Sequence, residues 1–286
     1  MKTIRIATRG SALALYQAHA VKDALAKEGY ASVIVEVKTK GDLNQTSPLR
    51  EIGGDGLFVR AVEDKLLAKE ADIAVHSGKD LPFSLQEGLM IAAVLQAADP
   101  RDCLISRPEK QNALRVIGTG SARRISEYKK IDPEANCVSI RGNVPTRLSK
   151  LQTECDAVIL AKAGLDRLAI PLDAYTTRIF CVQEMIPAGC QGIIAIECKK
   201  EDESIRAALS RINHAATWQR FSIERKLFCL LEANCSQAVG VHAIPGEKSV
   251  ELLAKLDEKR VARTVSYEEL DEACREIAQE LLEEKA

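Results

Sequence analysis

The stretch ADIAVHSGKDLP, residues 71–82, sets an ammonium, Lys79, beside a carboxylate, Asp80, directly after the apolar run Ile73 to Val75. Such a run fits a buried strand, and His76, Ser77, Gly78 and Pro82 break it off. In open α/β sheets ligands collect outside the carboxyl ends of the strands, so this pair is placed for a ligand or a reaction. A lone pair of this kind would be a solvated turn. The arginines repeat the placement. Arg9 stands between a strand and a helix in ATRGS, Arg123 and Arg124 follow a strand in GTGSARR, Arg141 ends one in SIRGN, and Arg147 lies one turn into the next helix. A helix N-terminus offers unsatisfied N–H groups and a positive dipole end, and a guanidinium adds a planar fork that fits a carboxylate. Any one of these arginines reads equally well as a surface cap or an ion-pair partner. All five at strand-to-helix junctions point to a cleft for a polyanion rich in carboxylates.

Cys235, in LEANCSQAVG, sits in a loop after a helix, where a thiol is accessible. Cys137, Cys155, Cys181 and Cys198 fall inside apolar strand patterns and read as inert core residues. GGDGLF and GTGS match neither phosphate-loop pattern, which argues against a nucleotide site. His19, His76, His214 and His242 have no metal-ligand spacing.

The elements that must carry these groups alternate between strand and helix. TIRIAT reads as a strand; after RGS, the stretch ALALYQAHAVKDALAKEGY reads as a helix with Ser11 as N-cap and Gly29 near its stop. SVIVEVKT is a second strand, followed by a long polar connection from Lys40 to Gly56 and a helix from about Leu57 to Lys69. LMIAAVLQ follows the strand before Asp80, and ADPRD reads as a crossing into a new segment. From Cys103 the pattern repeats through RVIGT, CVSIRG, NVPTRLSKLQ and CDAVILAKAGL, and GIIAIEC adds one more strand. Two helices, the strands AVGVHAI, VELLAKL and VARTVSY, and an acidic amphipathic end then suggest an α+β module.

Composition bounds the partners. Forty basic against forty-one acidic residues give a formal charge of -1, so no global field recruits nucleic acid or an anionic membrane, and anion binding must be local. No apolar run approaches a bilayer span, and MKTIRIATRG lacks the apolar core of a signal peptide, so a cytoplasmic protein is expected. Nine cysteines without a CxxC fit reduced thiols rather than a disulfide frame or zinc site.

The runs RIATRGSALALYQA, GGDGLFVRAVEDKLLAKEADIAVHSGKDLP, DPRD, GTGSARR, RGNVPTRLSKL, DAVILAKAGLDRL and QGIIAIEC, and a cysteine after LEAN, closely resemble the porphobilinogen deaminase (hydroxymethylbilane synthase) family from residue 4 to about 240. The resemblance implies a monomeric transferase of tetrapyrrole and haem biosynthesis that joins porphobilinogen units head to tail with release of ammonia. It implies an α/β fold of two periplasmic-binding-protein-like lobes linked by crossing strands, plus a small α+β C-terminal domain. Residues 1–97 with 189–212 would form lobe 1, residues 98–188 lobe 2, and residues 213–286 the domain carrying the cofactor cysteine. Cys235 would hold a dipyrromethane cofactor through a thioether, and Asp80, with Lys79 beside it, would be catalytic. The matching positions imply that Ser77, Thr119, Ser121, Arg123, Arg124, Arg141 and Gln191 join Lys79 and Asp80 in binding the cofactor. Arg9, Ser11, Phe58, Arg141, Arg147 and Arg167 would bind substrate, with Phe58 and the 40–56 loop acting as a lid.

This chain departs from the family in several places. LEANCSQAV replaces LEGGCxVP, IPAGCQG replaces PAVGQG and sets Cys190 beside Gln191 as a second candidate reactive thiol, and Gly120 and Asp55 stand where a serine and a cation are commoner. A passive two-lobed clamp for a carboxylated ligand would show the same lobes and arginines. It would need neither Cys235 nor Asp80.

Overall fold

The computed structural model describes residues 3–37, 57–110, 114–232 and 237–283, which fold as two compact units. The first comprises Met1–Ala98 and Gly192–Phe221, the second Asp99–Gln191 and Ser222–Ala286.

The first unit is built on one five-stranded sheet. Its strands are β1 (Ile4–Arg9), β2 (Ser32–Val37), β3 (Ile73–Ser77), β4 (Leu89–Val94) and β10 (Ile194–Lys199), in the order β2-β1-β3-β10-β4. β1 pairs parallel with β2 and β3, whereas β10, which enters after the Asp99–Gln191 part of the second unit, runs antiparallel to β3 and β4. Alternation along the strands covers both faces. Ile4, Ile6, Ile73 and Val75 pack on α1 (Ala12–Lys27) and α6 (Glu203–Ile212) through Val21, Leu25 and Leu209. Ala7 and Ala74 turn to the other face, toward Val62 and Leu66 of α2 (Leu57–Leu67). α1 begins and ends as its sequence predicts. The Ser11 hydroxyl accepts the Ala14 N–H at 3.4 Å, and Gly29, at φ +82°, closes the C-terminus. The crossing segments pair within this unit, where Leu95 and Ala98 donate to the carbonyls of Ile194 and Gly192.

The second unit holds two sheets. β5 (Asp102–Ser106), β6 (Val116–Gly118), β7 (Asn136–Val138), β8 (Ala157–Ala161) and β9 (Thr176–Ile179) order as β7-β6-β8-β5-β9. One face packs on α3 (Ala122–Ile131) through Tyr128, the other on α4 (Val144–Ser149) and α5 (Lys162–Arg167) through Leu148 and Leu165. β5 is a difference from the sequence reading, which places no strand between the crossing ADPRD and RVIGT. Only Cys103 to Ile105 are apolar there, and the strand is defined by antiparallel partners distant in sequence, β8 and β9. The expected C-terminal module is present as the antiparallel sheet β11 (Val239–Pro245), β12 (Ser249–Leu256) and β13 (Lys259–Ser266), packed on α7 (Ala215–Leu231) and α8 (Leu270–Leu282). Among the described residues no helix is long and apolar enough to cross a membrane.

One buried cation ties this small sheet to α3. Lys255 on β12 is fully buried and donates to Ser126 Oγ at 2.7 Å, near Glu127, whose carboxylate lies 3.4 Å from Arg260. Burial, only partly opposed by Glu127, lowers the Lys255 pKa to about 8. Between that value and the ordinary lysine value of 10.5, the unfolded chain binds a proton that the folded chain does not, so this group makes stability rise with pH across the window. Relative to Lys255→Met, the unsubstituted protein should gain about 1–3 kcal/mol between pH 8 and pH 10. Paired melting curves at pH 7, 8.5 and 10 check this, and a pH-independent difference contradicts it.

Candidate active site

β3 delivers Asp80 to the sheet edge. After Ser77 the chain makes a single 3-10 turn, Gly78–Asp80, in which the Gly78 N–H donates to the Ile193 carbonyl at 2.8 Å and the Leu81 N–H to the Gly78 carbonyl at 3.3 Å. Lys79 and Asp80 are exposed on this turn, and Ser77 is held from behind. Its hydroxyl exchanges hydrogen bonds with the buried Gln17 amide of α1, at 2.8 and 3.2 Å. Below the turn His76 Nε2 lies 3.0 Å from Glu197 Oε2 of β10, and both side chains are buried. Because β1 and β3 are parallel neighbours, their carboxyl ends share one edge. Arg9, Ser11, Ser77, Lys79 and Asp80 therefore gather there. Phe58 belongs to the first turn of α2, but its side chain and the expected lid, residues 40–56, lie outside the described residues. The 81–88 connection after Asp80 is tied to α2, since Gln86 Nε2 donates to Glu63 Oε2 at 3.0 Å and to Asp64 Oδ1 at 3.2 Å. Burial pushes the Glu63 carboxyl above its ordinary pKa, against the hydrogen bond from Gln86.

In the second unit the arginine pair converges on a carboxylate. Asp102, the fully buried first residue of β5, accepts from Arg123 at 2.6 Å, from Arg124 at 3.0 Å and from Gln191 Nε2 at 3.0 Å. Arg123 also donates to the Ile186 carbonyl, Arg124 to that of Ile159, and Gln191 to that of Pro100. Burial pushes the Asp102 carboxyl up, but the two guanidinium charges and the hydrogen bonds from Arg123 and Gln191 win and hold its pKa far below the ordinary carboxylate range. Arg123 and Arg124 are 4% and 5% exposed, so pairing with Asp102 restricts what they present to a ligand. Each fork nevertheless carries five N–H donors, more than Asp102 consumes.

Thr119 and Ser121 lie at the junction of β6 and α3. Ser121 caps the helix by accepting the Arg124 N–H at 3.5 Å, and the Ser121 N–H donates to Thr119 Oγ1 at 3.3 Å. Glycine at 120 has a local reason, because a Cβ there would stand 2.9 Å from the Ile140 carbonyl oxygen. Half-buried Arg141 precedes Gly142, at φ +107°, whose carbonyl accepts Arg147 Nε at 2.8 Å, while Asn143 caps α4. Arg167 is the last residue of α5.

The cysteines separate by environment. Cys103 and Cys198 are buried and pushed up to about 11 by that burial, and Cys155 is buried and Cys137 half-buried, both raised for the same reason. Cys181 corrects the sequence reading, because β9 ends at Ile179, Phe180 fills the core, and Cys181 starts a turn with its side chain exposed. Cys190, expected as a second reactive thiol, is 1% exposed. Cys235 lies outside the described residues.

Sequence reasoning gave no role to Asp102, Gln17, Glu197 or Glu224. The signal for Asp102 was its place in DPRD; Gln17 stood on the apolar face of α1 without a visible partner.

The first unit thus sets an exposed ammonium and carboxylate at the carboxyl edge of its sheet, and the second carries arginines and hydroxyls at its own strand ends, an α/β architecture in both. The family model described as porphobilinogen deaminase, dipyromethane cofactor binding domain, matches residues 4–207. The porphobilinogen deaminase of Orientia tsutsugamushi (strain Boryong) is 43% identical over 250 residues, covering 83% of this chain and 81% of its own. That of Geobacter metallireducens (strain ATCC 53774 / DSM 7210 / GS-15) is 42% identical over 247 residues, covering 84% of this chain and 77% of its own. The chain belongs to the porphobilinogen deaminase family. Among solved structures, a periplasmic His/Glu/Gln/Arg/opine family-binding protein from Silicibacter pomeroyi in complex with lysine aligns with a TM-score of 0.41 and 13% identity, over 76% of this chain and 90% of that one.

Proposed function

We propose that this chain acts as a hydroxymethylbilane synthase, condensing four porphobilinogen molecules head to tail, with release of ammonia, into linear hydroxymethylbilane. The observation that carries the reading is 43% identity over 250 residues to a porphobilinogen deaminase, and the exposed Lys79–Asp80 turn supports it.

In each cycle the C–N bond of the porphobilinogen aminomethyl group breaks, nitrogen leaving with the electron pair and an added proton as ammonia. The remaining carbon is cationic and conjugated with its pyrrole ring. A ring carbon of the growing chain attacks it, forms the C–C bond and then loses its own proton. Asp80 accepts hydrogen bonds from pyrrole N–H groups and places a fixed negative charge against the positive charge that develops. Lys79 binds the acidic side chains. The hydroxyl, amide and guanidinium donors of Ser77, Thr119, Ser121, Arg123, Arg124, Arg141 and Gln191 fit acetate and propionate groups of a dipyrrolic cofactor anchored at Cys235. The dipyrromethane, when bound, supplies the pyrrole carbon that takes the first unit. Arg9, Ser11, Phe58, Arg141, Arg147 and Arg167 hold the incoming substrate. Residues 1–97 with 189–212, 98–188 and 213–286 act as three domains. We read the chain as a cytoplasmic monomer, and its balanced charge of -1 supplies no global field to recruit nucleic acid or an anionic membrane.

The test is the intact mass of the purified protein beside Cys235→Ser. An excess equal to two linked pyrrole units, lost in Cys235→Ser, is expected. A mass that stays unmodified after incubation with porphobilinogen or preformed hydroxymethylbilane contradicts the reading.

A further inference from the structure

Glu224 sits in the part of α7 that belongs to the second unit, is fully buried, and is an ionisable group that the proposed chemistry leaves unused. Its Oε1 accepts His242 Nδ1 at 2.9 Å and the Ala243 N–H at 3.1 Å, both from β11. Its Oε2 accepts the backbone N–H of Cys190. A carboxylate enclosed in this way persists only because its oxygens are satisfied, so the contacts are fixed rather than incidental.

What Glu224 holds is a turn in a sparsely populated backbone conformation. Cys190 has φ +61°, in the left-handed region that residues with a Cβ rarely adopt. The next residue is Gln191, whose amide bonds Asp102, and Asp102 bonds Arg123 and Arg124. On the other side, Val241 of β11 donates to the Pro187 carbonyl at 2.9 Å, so the turn is held at both ends. Beyond Leu231, where α7 ends, the chain runs on toward Cys235.

We infer that Glu224 is a positioning residue: by gripping the Cys190 N–H and β11 together it fixes Gln191, and through Gln191 the Asp102–arginine cluster, relative to the helix that leads into the attachment cysteine. This rests on the proposed synthase reading and adds a residue to it. Glu224 touches neither substrate nor cofactor in this role and acts through Gln191. Relaxation of the strained turn would shift the Gln191 amide, and small displacements of positioning groups carry large kinetic consequences.

The experiment compares the full-length protein with Glu224→Gln, in which one accepting oxygen becomes an amide NH2 that opposes an N–H donor. Porphobilinogen turnover is measured per molecule carrying the two-pyrrole primer, with the loaded fraction read from intact mass, at a temperature below the onset of melting. Normalised this way, a merely structural defect leaves turnover unchanged. The expected result is a fall of about 10- to 100-fold, and no further loss when Gln191→Ala is added, because both changes act through one link. Unchanged turnover per loaded molecule, or losses that multiply with Gln191→Ala, overturns the inference. Should Glu224→Gln not fold, the His242 pair decides. His242→Leu should lower turnover and His242→Asn, whose amide N stands near the position of Nδ1, should restore it, whereas equal behaviour of the two overturns the inference. An unmodified, inactive unsubstituted protein overturns the synthase reading and this inference together. A loaded, active one with unaffected variants sinks only the inference.

Discussion

Asp102→Ala should lose about 3–5 kcal/mol of stability, because removing the carboxylate takes the counter-charge from two buried guanidiniums and a hydrogen bond from the Gln191 amide. The surrounding structure cannot answer by neutralising an arginine, which holds its proton over the whole accessible range. The loss should appear in the melting of the second unit, whose interior strand β5 begins at Asp102 and pairs with β8 and β9. The pH dependence has a definite sign. The folded pKa of Asp102 lies below its unfolded value, so its contribution is present above about pH 4 and is lost as pH falls through the folded pKa. Chemical denaturation followed by far-ultraviolet circular dichroism at pH 7 measures the difference. A loss below about 1 kcal/mol would show that the ion pairs are dispensable.

Asp80→Ala should behave in the opposite way, with turnover lost and the fold kept. The side chain is exposed on a turn secured by backbone hydrogen bonds from Gly78 and Leu81, so its removal opens no cavity and leaves no buried partner unpaired. Its proposed work is electrostatic, and deleting one preorganised group that faces developing charge costs about 10²–10³ in kcat. The melting temperature should stay within about 2 °C of the unsubstituted protein. Ammonia release under saturating porphobilinogen, beside a melting curve, separates the two quantities. Near-normal turnover would remove Asp80 from the mechanism.

Local signals in the sequence carried much of this architecture. Ser11 and Gly29 bound α1 because capping and left-handed closure depend on neighbours within one turn of the helix. The strand before Asp80 was legible from three apolar residues and an abrupt polar stop. β5 was not, because its stability comes from β8 and β9 and its own apolar stretch is too short to announce a period. The site divides along the same line. The residue types at strand ends could be read, but not what holds them: Gln17 behind Ser77, Asp102 under the arginine pair, and Glu224 between β11 and Cys190 are side-chain contacts made across the fold. Cys181 was misread for the related reason that β9 stops at Ile179, a boundary set by pairing with β5 rather than by composition.

The position of β10 has a consequence for how the chain is made. Its slot lies between β3 and β4, yet it leaves the ribosome only after the whole of Asp99–Gln191. The five strands of the second unit's larger sheet all fall between Asp102 and Ile179, so that sheet can close while the earlier one still has a gap in its middle. Until Ile194–Lys199 arrives, β3 has an open edge and Gly78 lacks the Ile193 carbonyl that anchors it. The Lys79–Asp80 turn thus gains its anchor only after the strands of the second unit's larger sheet have been made.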